Sequence, residues 1–259
     1  MDEESRIPTN LRLLLILETL GKAERALTPT EIGILVGLPK QTVHRLCATL
    51  LEEGFVVRDG NDKRLRPGRR TRRMAAAALH GASVHVARRQ VLVGVAEAIG
   101  ETVNFVVPED DGMRYIDRVE TEWPFRVQLP IGTNVPFHCT ASGKAYLASL
   151  APKARERLVN ALPLERHTEN TIVEPERLLD ELKRTAKDGF ARDDEEFFNG
   201  MVAVAVPVLD LSGRYAASLA FHGPCLRIDL NTAIARRSLL MEAARKLQHL
   251  LFGDEPDDI

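Results

Sequence analysis

Cysteine is nearly absent from this chain: Cys47, Cys139 and Cys225 are too few and too scattered for a disulfide framework or a zinc cluster. No apolar run approaches the roughly 20 residues that span a bilayer, and Met1-Asp2-Glu3-Glu4 has the wrong charge for a signal peptide. A soluble cytoplasmic protein with no membrane partner is expected. Also missing are a Gly-rich phosphate loop, a nucleophile elbow and a metal-spaced histidine cluster, the seven histidines being scattered. No catalytic residues, metal or cofactor are therefore expected. Two constellations argue mildly the other way. His138-Cys139 hints at thiol chemistry, but on an extended segment neighbours point to opposite faces, so neither activates the other. Asp193 with Glu195 is an acid pair, and His138, His222 and Cys225 would meet only by tertiary accident.

Net charge is also low. The 35 basic and 37 acidic residues leave -2, which alone argues against a nucleic-acid binder. The distribution reverses that argument: residues 1–80 hold 14 basic and 10 acidic residues, leaving 21 and 27 for the remainder. The first part is cationic and the second anionic. The length suits two domains, one small and one near typical size.

What is present begins at residues 27–54, LTPTEIGILVGLPKQTVHRLCATLLEEG, which has the spacing of a helix-turn-helix. Thr28 or Thr30 can cap a short helix, Glu31 suits its N-terminus, and Gly37-Leu38-Pro39 breaks it. Gly33, in mid-helix, points to close approach of the two helices. The second helix, expected over 39–53, places Val43, Leu46 and Leu50 on one face, with Cys47 packing beside them as a small apolar residue. Lys40, Gln41, Thr42 and Arg45 lie on or near the other face, the part that a recognition helix presents to the major groove. A core hairpin with a solvated polar face is the plainer alternative.

A strand over 55–58, a turn at Asp59-Gly60-Asn61-Asp62 and a returning strand over 63–66 then read as a wing. From Arg58 to Arg73 there are eight basic residues against two acids. Beside a recognition helix, such a run is an electrostatic footprint for phosphates. The expected DNA-contacting set is Thr28, Lys40, Gln41, Thr42, His44, Arg45, Arg58, Lys63, Arg64 and Arg66.

The helix expected over 10–21 is more apolar than one core face requires, which points to a subunit contact. A linking helix is expected over 69–86, followed by a helix over 87–99. Strands are expected over 102–107, 113–119, 125–129, 190–193, 202–208 and 214–221. Helices are expected over 140–150, 152–162, 175–187 and 230–252. The fold class is α+β, with domains at 1–68 (winged helix-turn-helix), 69–86 (linking helix) and 87–253 (antiparallel sheet flanked by helices), and an acidic tail at 254–259.

Residues 140–143, Thr-Ala-Ser-Gly, open a helix after a strand, so free N–H groups and the positive end of the dipole coincide with hydroxyls. On residues alone this entrance is equally an ordinary capped helix or a carboxylate site. Asp193, at the end of an expected strand, would repel a simple anion but accept a hydrogen bond from a ligand hydroxyl. Asp194 and at least one neighbouring Glu read as a solvated loop.

Four stretches, LPKQTVHRL at 38–46, GETVNF at 100–105, FHCTASGKA at 137–145 and GFARDDEE at 189–196 followed by Gly200 and Pro207, give the chain a specific resemblance to the IclR (isocitrate lyase regulator) family of bacterial transcription factors. The resemblance implies an N-terminal winged helix-turn-helix and a C-terminal GAF-like effector domain. It also implies a homodimer or a tetramer of dimers on pseudo-palindromic double-stranded DNA, and a small-molecule effector, most plausibly a carboxylic acid. The effector set it implies is Val127, Leu129, Thr140, Ala141, Ser142, Asp193, Ala203 and Ala205, with residues 202–206 running as an apolar wall beside Asp193. Ala203 stands where relatives often carry cysteine, so no relative's ligand transfers by name. Arg69-Arg70-Thr71-Arg72-Arg73 departs from a more aliphatic pattern, leaving phosphate contact or a partner subunit as its role. A regulator whose larger domain only oligomerises is the rival reading.

Overall fold

The computed structural model describes residues 7–23, 25–60, 62–78, 82–124, 127 and 129–253, which fall into two compact units, Met1–Gly81 and Ala82–Ile259. Among the described residues no helix is long and apolar enough to cross a membrane.

The first unit contains α1 (Leu11–Lys22), α2 (Pro29–Val36), α3 (Lys40–Glu52), β1 (Val56–Arg58), β2 (Leu65–Pro67) and α4 (Arg69–Ala78). Thr28 and Glu31 close a capping box at the start of α2: the Thr28 hydroxyl accepts from the Glu31 N–H, and the Glu31 carboxylate accepts from the Thr28 N–H. Gly37 ends α2 at φ 71°, a left-handed conformation that glycine adopts without strain. Ile16, Leu20, Ile32, Val43, Leu46, Cys47, Leu50, Val56 and Leu65 form one buried core. Gly33 lets the Leu38 carbonyl and Val43 pack close, as a Cβ there would sit 3.4 and 3.5 Å from them.

The wing is shorter than the sequence indicates. Its returning strand begins at Leu65 instead of residue 63, since the backbone up to Arg64 is occupied in the turn, where the Asp59 N–H donates to the Arg64 carbonyl. Leu65 also bridges to Leu27 through two backbone hydrogen bonds of 3.0 and 2.7 Å, which tie the wing to the entry of α2.

The second unit opens with α5 (Ala82–Ile99), so the helix expected to start at 87 starts earlier; the linking helix expected over 69–86 falls on α4 and the first residues of α5, with residues 79–81 outside the described set. Then follow β3 (Thr102–Pro108), β4 (Met113–Val119), β5 (Asn134–Val135), α6 (Ala141–Ser149), α7 (Pro152–Ala161), α8 (Pro175–Asp188), β6 (Ala191–Asp194), β7 (Met201–Leu209), β8 (Tyr215–Pro224), α9 (Leu230–Ala235) and α10 (Arg237–Phe252). The six strands form an antiparallel sheet in the order β5-β4-β3-β8-β7-β6. Alternation along the strands sorts its faces. Val103, Phe105, Val202, Val204, Val206, Leu219 and Phe221 share a core with residues of α5 and α10, and α6 lies against β6, β7 and β8 on the other face.

Two expectations about this unit fail. Val127 and Leu129 belong to no strand, and residues 125, 126 and 128 of the expected third strand lie outside the described set. The Val127 carbonyl accepts from the Arg118 guanidinium at 2.6 Å instead of from a ladder, and the outer strand is β5. The single helix over 230–252 is two helices separated at Arg236, whose N–H is shared between the Thr232 and Ala233 carbonyls and whose guanidinium donates to the Ile99 carbonyl. Tertiary anchoring breaks a helix whose sequence contains no Gly or Pro to announce it.

Candidate DNA-reading surface and effector site

On α3 the core face is Val43, Leu46, Cys47 and Leu50, all buried, and burial pushes the Cys47 thiol up to about 11, so it stays protonated and apolar. Lys40, Gln41, His44 and Arg45 are exposed on the remaining surface and Thr42 is half-buried. Among the described residues the side chains of Lys40, Gln41, His44 and Arg45 engage no other group. Their donors are free for an external partner.

The wing is arranged differently. Arg58 and Lys63 are exposed, whereas Arg64 pairs with Asp62 at 3.0 Å and Arg66 with Asp59 at 3.6 Å. Exposed pairs of this kind are worth about 0–1 kcal/mol, too little to hold the arginines from a phosphate. Thr28, counted among the DNA contacts, spends its hydroxyl on the α2 capping box.

The arginine-rich stretch serves a role that neither alternative anticipated. Arg70 pairs with Glu53 at 2.8 Å and covers the Phe55 ring at 4.4 Å, Thr71 Oγ1 donates to the Phe55 carbonyl at 2.6 Å, and Arg72 donates to the Pro67 carbonyl at 2.8 Å. Two of these arginines therefore fasten α4 to the base of the wing. Gly68 makes the junction possible, because a Cβ there would fall 2.4 Å from the Gly54 carbonyl oxygen.

In the second unit, Thr140 caps α6: its hydroxyl accepts from the Gly143 N–H at 3.1 Å and donates to the Pro136 carbonyl at 2.7 Å. The Thr140 side chain is thus committed to the helix. Gly143 permits the tight turn, since a Cβ would lie 2.3 Å from the Phe137 carbonyl oxygen. Ala141 and Ala145 of α6 rest on Ala191, Ala203, Ala205 and Ala220 of the sheet, an all-alanine contact that lets the helix lie close. Ser142 is buried beside it and receives the Ser218 hydroxyl on its carbonyl at 3.3 Å. Val127 and Leu129 are half-buried against the neighbouring apolar cluster that includes Phe137 and Tyr115.

Asp193 faces Ala203 across the β6–β7 ladder, on the side of the alanines; the valines at 202, 204 and 206 point into the opposite core. The expected apolar wall is therefore a floor of small residues. The Asp193 carboxylate accepts from the Glu196 N–H at 2.8 Å and the Phe197 N–H at 3.3 Å. Burial raises it to about 7 against the pull of Lys144, far above the ordinary carboxylate range, which favours its protonated form. Glu196, which the sequence places among loop acids, is buried; Lys144 donates to its Oε1, and its Oε2 has no hydrogen-bond partner among the described residues. Asp194 is exposed, as expected.

Sequence reasoning missed a polar group on the same face. Arg118, nearly buried, donates to Asn104 Oδ1 at 3.1 Å, to Glu120 at 3.0 Å and to the Val127 carbonyl. Asn104 Nδ2 lies 3.1 Å from His222 Nδ1, and burial with the nearby Arg118 charge pushes His222 down to about 4, keeping it neutral. His222 pairs in register with Ala203 on one side and Thr102 on the other. By register Arg118 lies beside Asn104 and Tyr115 beside Val106, on the face of the sheet that also carries Asp193 and His222, and burial raises the Tyr115 hydroxyl. The available signal was the alternation of Thr102 and Asn104 with Val103 and Phe105, polar residues on a strand buried on both faces.

His138 and Cys139 also depart from expectation. Residues 137–139 form a turn, not an extended segment, so the two side chains approach one another together with His167.

The comparisons agree with this geometry. The family model described as the IclR helix-turn-helix domain matches residues 11–60, and that of the bacterial transcriptional regulator IclR C-terminal matches residues 76–249. A probable transcriptional regulator, SauR, of Cupriavidus necator is 38% identical over 221 residues, covering 85% of this chain and 88% of that one. The transcriptional repressor IclR of Escherichia coli is 29% identical, over 91% of this chain and 87% of its own. The Thermotoga maritima IclR structure superposes with a TM-score of 0.63 at 27% identity, covering 95% of this chain and 99% of that one. An IclR homologue from Microbacterium hydrocarbonoxydans, complexed with 4-hydroxybenzoate, does so with a TM-score of 0.58 at 25% identity, covering 93% and 98%. With a winged helix-turn-helix, a helix-flanked antiparallel sheet and both family models matched, this chain belongs to the IclR family of DNA-binding bacterial transcriptional regulators.

Proposed function

We propose that this regulator works in the cytoplasm as a homodimer or a tetramer, not as an enzyme, reading a pseudo-palindromic operator through Gln41 and Arg45 and holding its register on phosphates through Lys40, Arg58, Lys63, Arg64 and Arg66. A small organic acid bound in the second unit changes operator affinity. The observation that carries the effector assignment is the sheet face on which Arg118, Tyr115 and Asp193 lie together with the alanine floor. The Arg118 guanidinium, its donors held by Asn104, Glu120 and the Val127 carbonyl, supplies positive charge for a carboxylate, and a protonated Asp193 donates a hydrogen bond instead of repelling the anion. Ser142 and the half-buried Val127 and Leu129 complete the proposed wall, and Ala205 continues its floor. The ligand-bearing relative, a 4-hydroxybenzoate complex, is an acid of this class.

Thermal shift of the purified chain against small carboxylic acids, 4-hydroxybenzoate included, tests this, because a ligand selective for the folded state stabilises it by about 2.7 kcal/mol at 100 times Kd. A ligand found this way is expected to change operator affinity by about 5- to 150-fold, the usual range of allosteric coupling. If none of the acids shifts the melting curve, the second unit serves oligomerisation alone.

A further inference from the structure

We infer that His138, Cys139 and His167 form a binding site for a zinc-class divalent cation at the approach to α6. The donor atoms of the three side chains all lie within 4.8 Å of one another. Tetrahedral zinc, with bonds of about 2.0 Å to nitrogen and 2.3 Å to sulfur, needs donors roughly 3.3–3.7 Å apart. About an ångström of closure therefore completes the site, which rotation of the exposed His167 side chain supplies.

Two features of the surroundings prepare the ligands. His138 Nε2 lies 2.9 Å from the Glu165 carbonyl oxygen. That contact orients the His138 ring, as outer-shell carbonyls do behind metal-bound histidines. The loop carrying His167 is fastened to the end of β6: Thr168 Oγ1 donates to the Glu195 carbonyl at 2.6 Å, Thr171 Oγ1 to the Glu196 carbonyl at 2.7 Å, and the His167 N–H donates to Thr171 Oγ1 at 3.1 Å. The His167 ring also rests edge-on against Phe197 at 5.5 Å.

Two imidazoles and one thiolate are a borderline-soft donor set that favours Zn²⁺ and Co²⁺ over Mg²⁺ or Ca²⁺. Three protein donors leave a fourth position for water. On binding, the Cys139 thiol loses its proton to solvent and a sulfur–metal bond forms; no redox change is involved. Since Thr140 follows Cys139 directly and caps α6, the cation would lock the turn that starts this helix.

The test uses the untagged full-length chain, stripped with a chelator and titrated with Co²⁺, then with Zn²⁺ in competition. The expected result is one equivalent per chain, with a thiolate-to-cobalt charge-transfer band that zinc abolishes. Cys139→Ser should remove the band and Cys225→Ala should leave it intact. His167→Ala, a change at an exposed position that spares the fold, should weaken cobalt binding at least as much as the about 10- to 100-fold lost with an outer-shell partner. A chain that takes up no stoichiometric cobalt, a band that survives Cys139→Ser, or unchanged affinity in His167→Ala would overturn the assignment. None of these readouts depends on operator or effector binding.

Discussion

Replacing Asp193 with Asn should make the second unit more stable at pH 7 than the parent, by an amount that grows with pH. The amide keeps an oxygen to accept from the Glu196 and Phe197 N–H groups and removes only the ionisation. In the parent, burial raises the carboxyl from 3.8 to about 7. Below pH 4 both folded and unfolded chains hold the proton and the residue costs nothing. Between pH 4 and 7 the unfolded chain releases it while the folded chain does not, so stability falls as pH rises, and above pH 7 the loss is constant. At about 1.4 kcal/mol for each pKa unit, the gap between variant and parent should open by about 4 kcal/mol across that window. Urea unfolding followed by tryptophan fluorescence measures it, because Trp123, the only tryptophan, lies in the second unit. A gap that stays flat from pH 4 to 7 would refute the view that Asp193 holds a proton in the folded state.

Other perturbations separate the remaining roles. Arg45→Ala should relax base preference in a binding selection, whereas Lys63→Ala should weaken all sequences alike and reduce the slope of log affinity against log salt by about 0.9; an unchanged consensus for Arg45→Ala would remove it from the base readers. Thr28→Ala should cost about 1 kcal/mol in urea unfolding of the first unit through loss of its cap. Its partner Glu31 is held down at about 2 by Arg25 and then Thr28, so its contribution is present above the ordinary carboxylate pKa and disappears as pH falls toward 2, which acid titration of the same unfolding transition checks. Gly143→Ala forces a methyl toward the Phe137 carbonyl and should destabilise the second unit by about 1–3 kcal/mol, measured by thermal melting.

The sites differ in how far their chemistry depends on neighbours. On α3, Lys40, Gln41, His44 and Arg45 are exposed and uncommitted, so under the proposed reading their intrinsic donors make the contacts. In the second unit each polar group acts through a partner: Arg118 through Asn104 and Val127, Lys144 through Glu196, and Asp193 through two backbone amides. Removing one partner there leaves a buried donor or acceptor unmet, which costs more than the hydrogen bond itself contributes.

Much of this was legible in local patterns. The Thr28–Glu31 spacing announces the α2 cap, Val43, Leu46 and Leu50 mark the buried side of α3, and the position of Thr140 ahead of Gly143 marks the start of α6. Each depends on residues within one or two turns, where backbone geometry alone decides which side chains are neighbours. What tertiary structure decided lies beyond that range. Asn104 meets His222 118 positions away, His138 and Cys139 meet His167 only because a turn replaces an extended segment, and Arg236 breaks a helix because Ile99 offers it a carbonyl. Strand order and register bring such groups together, and a periodicity of two or 3.6 residues carries no information about which distant strand will lie alongside. The sequence therefore determined the elements and their buried sides, while the packing of those elements decided which polar groups share a sheet face, and with it the electrostatics of the proposed effector site.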